Sequence, residues 1–249
     1  MELSSSASQA WAIETHGLNK SFGYYLALQN IDLQLRLGET VVVLGPNGAG
    51  KTTLIKVLAT IMNPSSGSIF INGLPTKNNA EEIRRKIGVV THQTFLYSNL
   101  TAYENLEFYG RMYDVPRRKE RIHEVAAMVG MTPRLHERVG TLSRGMQQRL
   151  SIARALLHNP AIMLMDEPEA GLDQQAVSML CQFLQTESRE KRTTILTTHN
   201  LERVFELCDR LLILARGKIV YQESTKTLDL ADLKQVYQQY TRLDYEILE

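Results

Sequence analysis

One stretch restricts this chain more than any other: Gly45, Pro46, Asn47, Gly48, Ala49, Gly50, Lys51, Thr52 and Thr53, preceded directly by the apolar run Val41-Val42-Val43-Leu44. It fits GxxxxGK(S/T), a spacing in which glycines let the backbone turn until several N–H groups converge on one anion. The β-branched run predicts a strand buried on both faces, and Leu54, Ile55, Leu58 and Ile61 recur at helical spacing behind the loop. Strand, loop and helix therefore come in the order that aims a helix N-terminus at a phosphate. Lys51 is placed to reach β- and γ-phosphates, and the Thr52 hydroxyl to take one position on Mg²⁺. A glycine-rich turn that merely happened to carry a lysine would need neither flanking element.

The 249 residues suffice for one large α/β domain or a core domain with a smaller lobe. A net charge of +1 gives no general pull toward nucleic acid, and no apolar run approaches a membrane span. Met1 to Ala10 is serine-rich and polar and reads as a disordered tail, without the basic start and apolar centre of a signal peptide. Cys181 and Cys208 lie on apolar helical stripes and read as buried free thiols.

Ahead of the loop, Trp11–Thr15 and Ile31–Arg36 read as strands of an antiparallel lobe, joined by a loop from Leu18 to Tyr25. Phe22, Tyr24 and Tyr25 could offer a flat face to a purine, although each alone reads as a packing or turn residue. Beyond the loop come a short strand at Ser68–Ile71, a tight turn at Asn72-Gly73 and a strand from Ile87 to Thr91 that delivers His92 and Gln93. Residues 94–158 read as an all-helical insertion. Within it Thr101 and Glu104 make a capping box, and Ser143 caps a helix whose inner face is Met146, Leu150, Ala153 and Leu157.

The apolar run Ala161–Met165 ends abruptly at Asp166-Glu167. Packing gives no reason for two carboxylates at the end of a buried strand, but phosphate chemistry does. Asp166 would hold Mg²⁺, and Glu167 would orient and deprotonate a water attacking the γ-phosphate. A long helix then starts at Gly171-Leu172-Asp173, with Asp173 as N-cap, and runs to about Arg192. The strand Thr193–Thr198 follows and ends at His199. Leu211–Ala215 and Ile219–Gln222 read as the last strands and Ala231–Arg242 as an exposed helix. Four predicted strands end in the glycine loop, Gln93, Asp166-Glu167 and His199, and open parallel sheets bind ligands beyond their carboxyl ends. The fold expected is an α/β P-loop NTPase. Residues 11–93 and 159–223 form a RecA-like parallel core with the β lobe, 94–158 a helical subdomain and 224–249 a C-terminal helical extension.

With these residues in order, positions 11–223 resemble the ATP-binding subunits of ATP-binding cassette (ABC) transporters. Gly45–Thr53 is similar to the Walker A motif, Gln93 to the Q-loop glutamine and Leu142-Ser143-Arg144-Gly145-Met146 to the family signature. Ile162–Asp166 with Glu167 is similar to Walker B and its catalytic glutamate, Gly171–Asp173 to the D-loop and His199 to the switch histidine. The resemblance implies ATP and Mg²⁺ as ligands, Thr52, Gln93 and Asp166 around the metal, and Lys51, Gln93, Glu167 and His199 in catalysis. It implies that Phe22 stacks on adenine. It also implies Asp173 among the nucleotide-binding residues, a homodimer in which Ser143 and Gly145 touch the γ-phosphate held by the other protomer, and integral membrane permease subunits that would hold the chain at the cytoplasmic face of the membrane. Arg144 and Met146 depart from the common Leu-Ser-Gly-Gly-Gln form, but the serine and the glycine nearest the phosphate are kept, so hydrolysis is expected to survive, if at a reduced rate.

Within the family, Leu100–Leu106 and the Leu-Ser-Arg-Gly-Met form resemble ABC-2-type exporters. Val90–Tyr97 and Arg144–Arg149 resemble the heme exporter ATPases of cytochrome c maturation among them. Three other readings compete: the ATPase of another ABC-2 exporter, for a drug or a lipid-linked polysaccharide; a soluble ABC ATPase of DNA repair or translation, which usually carries tandem cassettes or long insertions and a basic surface; and a nucleotide-binding regulator that does not turn over, for which only the altered signature speaks.

Overall fold

The computed structural model describes residues 11–172, 174–189 and 192–241. The sequence readings on Met1–Ala10, Asp173 and Arg242 lie outside them. In chain order, β1 (Trp11–Phe22) and β2 (Tyr25–Arg36) form a hairpin, and β3 (Thr40–Leu44) leads through the glycine loop into α1 (Lys51–Leu58). Next come β4 (Ser66–Ile71), β5 (Leu74–Pro75), α2 (Thr76–Arg84) and β6 (Ile87–Val90). Helices α3 (Ala102–Met112), α4 (Arg118–Met128) and α5 (Arg144–Leu156) precede β7 (Ile162–Asp166) and α6 (Gln174–Arg189). The described chain ends with β8 (Thr193–Thr197), α7 (Val204–Leu207), β9 (Arg210–Ala215), β10 (Lys218–Ser224) and α8 (Leu230–Thr241).

Two sheets result. The lobe is antiparallel with order β2-β1-β4-β5, and the main sheet has order β10-β9-β3-β8-β7-β6. In the main sheet β9, β3, β8, β7 and β6 are parallel and β10 is an antiparallel edge. All five residues of β3 are buried, and their alternation divides the core. Val41 and Val43 pack with Leu54, Ile55 and Leu58 of α1 and with Ile13 and Leu33 of the lobe, while Val42 and Leu44 face Leu106, Leu150 and Ile152 of the helical insertion. Each such side chain contributes roughly 1.5–3 kcal/mol on burial, so a strand buried on both faces takes the middle of the sheet.

Several elements follow from local chemistry. The Thr101 hydroxyl accepts from the Glu104 N–H at 3.1 Å and the Glu104 carboxylate accepts from the Thr101 N–H at 2.8 Å, a complete capping box at the start of α3. Those bonds hold the Glu104 carboxyl below the usual carboxylate range. Asn72 (φ 48°) and Gly73 (φ 76°) make the expected turn between β4 and β5. Cys181 is a buried thiol, and burial pushes the Cys208 thiol up to about 12, so Cys208 is inert as a nucleophile.

Other readings need correction. Leu18 to Tyr25 is not a loop: β1 runs on to Phe22 and β2 starts at Tyr25, with only Gly23 and Tyr24 between them. Register shifts at Thr15/Leu18 and Leu18/Lys20 break the alternation, and the Asn19 side chain fills the gap, donating to Gly17 O at 2.7 Å and accepting from the Asn30 N–H at 2.9 Å. Helical structure in the insertion begins at Ala102 and not at Thr94, because residues 94–101 are tied down by Asn105. Its side chain accepts from the Tyr97 N–H and donates to Tyr97 O and Thr101 O. The C-terminal helix is not simply exposed: Leu233 is buried completely, and Val236, Tyr237 and Tyr240 pack against the core.

Between α5 and β7, His158 stacks on Tyr113 at 4.0 Å between ring centroids, with Nε2 3.0 Å from Ile87 O. Burial pulls its pKa down to about 4, so the folded chain holds it neutral. The unfolded chain takes up that proton near the ordinary value of ~6.5. This group's share of stability is therefore complete above about pH 6.5 and is lost as the pH falls toward 4. Urea unfolding of the parent and of His158→Gln should converge as the pH drops from about 6.5 to 5, and a constant gap would refute the assignment.

Candidate active site

Parallel pairing brings the ends of β3, β8, β7 and β6 to one edge of the sheet. The loop after β3 carries positive φ at Gly45, Gly48 and Gly50. Gly50 has φ 108° and lies so close to β2 that a Cβ there would sit 2.4 Å from Ala27 O. Only glycine fits. The loop is also held from outside: the Tyr25 hydroxyl donates to Gly48 O at 3.0 Å and the Gly217 N–H to Ala49 O at 2.9 Å. Tyr25, which the sequence offers as a packing or turn residue, is thus a direct support of the loop.

Lys51 is buried, and its Nζ donates to Gly45 O at 2.7 Å and Pro46 O at 3.0 Å. Burial lowers its pKa, while the Glu167 and Asp166 carboxylates pull it back up. The ammonium is therefore held at the mouth of the loop by two carbonyls and faces two carboxylates. Thr52 follows, and its hydroxyl donates to Asp166 Oδ2 at 2.7 Å.

Asp166, 3% exposed at the end of β7, is gripped from the other side by β8, where the Thr197 hydroxyl donates to Asp166 Oδ1 at 2.9 Å. The same Thr197 oxygen accepts the Glu167 N–H at 2.9 Å. Glu167 has φ 47°, a left-handed turn that a non-glycine residue adopts at a cost of order 1 kcal/mol and that swings the chain off the strand. His199 Nδ1 lies 3.9 Å from Glu167 Oε1. Thr197 was missed in the sequence; the signal was a fully buried strand, Thr193 to Thr197, that spends threonines where leucine would serve. Thr197→Val strips the Glu167 N–H and one Asp166 oxygen of a partner, so the unfolding free energy in urea should fall by about 1–3 kcal/mol, whereas Thr197→Ser should retain most of it.

Phe22, Tyr25, Asn47–Thr53 and Glu167 line a cleft of about 240 Å³ over the loop, and a broader adjoining cleft adds His199, Arg216 and Tyr237. Gln93 and His92 lie beyond β6; His92 Nδ1 is 3.9 Å from Asp166 Oδ2. Gln93 is exposed and lines a neighbouring cleft with Phe95, Arg144, Gln147 and Ala170, away from the loop. Ser143 caps α5 by accepting from the Met146 N–H at 3.3 Å, and Gly145 packs close to Gly171. Ser143 and Gly145 line neither cleft over the loop of their own chain. Asp173 lies outside the described residues. Thr52 and Asp166 offer hard oxygen donors side by side, a set that suits Mg²⁺, which takes one or two protein ligands and completes its shell with phosphates and water. Among the described residues no cluster of His, Cys, Asp and Glu makes an all-protein metal cage.

The family model described as ABC transporter matches residues 28–170. The chain belongs to the ABC transporter family. This ABC ATPase is 38% identical over 205 residues to the ABC transporter ATP-binding protein NatA of Bacillus subtilis (strain 168), which covers 81% of the chain and 83% of that relative. It is 36% identical over 219 residues to the Nod factor export ATP-binding protein I of Rhizobium sp. (strain N33), covering 87% of the chain and 72% of the relative. Its fold matches the ATP-binding cassette MJ0796, solved as a dimer in a post-hydrolysis state with ADP and Pi, with a TM-score of 0.80, 28% identity, and coverage of 86% of the chain and 98% of the other. The expected P-loop cassette fold is thereby borne out, and the chain is an ATP-binding transport ATPase.

Proposed function

We propose that this ABC ATPase drives an ABC-2-type exporter as a homodimer that closes around two ATP molecules and passes its motion to integral membrane permease subunits. The observation that carries the site is the grip on Asp166 by Thr52 and Thr197, with Glu167 and His199 leaving the same sheet edge and facing the same cleft as the loop. Lys51 would trade its carbonyl partners for the β- and γ-phosphate oxygens, the exchange its position at the loop mouth favours. Thr52 and Asp166 would hold Mg²⁺, with Gln93 reaching in when the dimer closes. The bound ion neutralises charge developing on the phosphates. Glu167 would orient the attacking water and take its proton, and His199 would fix that carboxylate and the γ-phosphate. Phe22, 48% exposed beside the loop and with Lys20 Nζ 5.2 Å from the centre of its ring, would stack on adenine.

Ser143 and Gly145 lie away from their own loop, which favours their serving, with Asp173, the loop of the other protomer. Mixing inactive Lys51→Ala and Ser143→Arg chains in equal amounts tests this. Random pairing leaves half of the dimers with one intact site, so about a quarter of the parent rate should return. No recovery would mean that each site is built from one chain.

No described helix is long and apolar enough to cross a membrane. In the reading above it is the permease that would hold the chain at the cytoplasmic face. For cargo, Val90–Tyr97 and Arg144–Arg149 favour heme within the exporter class, whereas one relative above bears a Nod factor exporter's name. The membrane polypeptide that copurifies with the chain decides between them, and recovery of none would overturn the subunit reading.

A further inference from the structure

We propose that α8 is a brace for the turn that carries His199, so that the C-terminal segment sets the rate of hydrolysis without helping to hold ATP; this rests on the role proposed above for His199. The histidine stands beyond the end of β8 and is 69% exposed, so its own packing does little to fix it. The turn around it is held by a relay of short contacts. The Thr198 hydroxyl donates to Glu169 Oε1 and accepts the Asn200 N–H, and the Asn200 side chain accepts the Glu202 N–H to start the turn Leu201–Arg203. The relay then reaches α8, where Lys234 Nζ lies 3.5 Å from Glu202 Oε1.

That exposed pair alone is weak, and the stronger link is apolar. Leu233 of α8 is 0% exposed and shares a core cluster with Val204, directly after the turn, while Leu201 and Phe205 pack on the same cluster. The ring of Tyr240 lies 6.0 Å from that of Tyr221, which ties the helix to β10. The last turns of α8 also reach the reacting edge, because Tyr237 and Thr241 wall the cleft that Gly45, Glu167 and His199 line. The phosphate loop has separate supports in Tyr25, Gly217 and the Lys51 contacts. Loosening α8 should therefore move the histidine and leave the phosphate grip in place.

The experiment measures ATP turnover by the full-length chain carrying Leu233→Ala or Lys234→Glu. For Leu233→Ala, kcat should fall about tenfold with KM for ATP changed by no more than about twofold. Lys234→Glu should lower kcat about twofold, and adding Glu202→Lys should recover it. In a His199→Ala background, Leu233→Ala should bring no further loss, since the brace acts through the missing ring. A matched rise in KM, an equal loss in both backgrounds, or no recovery in the charge swap would overturn the brace. Should Leu233→Ala fail to fold, the charge-swap cycle decides. If His199→Ala itself turns over at the parent rate, the proposed site fails; if it is impaired while both α8 variants run at the parent rate, only the brace fails.

Discussion

Glu167→Gln is expected to lower kcat for ATP by roughly 10²–10⁴ and to leave ATP binding intact. The amide keeps the size of the side chain, and the backbone bond from the Glu167 N–H to Thr197 is untouched, so the left-handed turn after β7 should persist. What disappears is a group able to take a proton from water. The Glu167 and Asp166 carboxylates also oppose the fall in the Lys51 pKa that burial causes, so the amide variant keeps one carboxylate fewer competing with phosphate for that ammonium. ATP affinity measured by equilibrium binding should hold or rise slightly while turnover collapses. If turnover stays at the parent level, the base is elsewhere; if affinity falls together with turnover, Glu167 is a structural support.

Lys51→Ala should lose binding as well as turnover. The ammonium donates to two loop carbonyls at 2.7 and 3.0 Å, and in the complex the same donors would face phosphate oxygens. Hydrogen bonds involving a charged group contribute about 1.5–3 kcal/mol, so ATP affinity should fall roughly 10- to 150-fold. Lys51→Arg should not rescue it, because a planar fork cannot reproduce a compact donor set in a buried pocket. The affinity of inorganic triphosphate should fall by the same factor as that of ATP, since the lysine has no part in reading the base. A loss confined to ATP would show that Lys51 acts through the nucleoside end of the ligand and not through its charge on the phosphates.

The sequence revealed what depends on a few neighbouring residues. Thr101 and Glu104 close their capping box within one turn, and Asn72-Gly73 makes its turn through backbone conformations that neighbouring residues cannot override. The buried runs in β3 and β7 were plain because Val41–Leu44 and Ile162–Met165 are apolar up to the point where chemistry begins. Features settled by distant partners stayed hidden. The extension of β1 to Phe22 depends on Asn19, which pairs with Ser66 of β4, and on the pairing of Lys20, Ser21 and Phe22 with β2, and α2 has one buried residue, Ile83, and so shows no apolar stripe. The placing of β3 between β8 and β9 joins segments about 150 residues apart, which no local pattern records. At the site the same division holds. Lys51, Asp166 and Glu167 announce themselves as charge beside buried strands. Thr197 and Tyr25 matter through single hydroxyls whose partners lie far off in the chain.

Since β8 separates the strand entering the phosphate loop from the strand ending in Asp166, each residue from Thr194 to Thr197 has a fixed neighbour on both sides. Side chains alternate with a period of two, so one residue gained within Thr193–Thr197 would bring Leu196 to the place of Thr197 and present a hydrocarbon to the carboxylate, while one residue lost would draw Thr198 into that place and pull His199 out of its own. Length variation among related chains should therefore be tolerated in the β-hairpin lobe and after α8, but never inside this five-residue span, which works as the ruler of the machine.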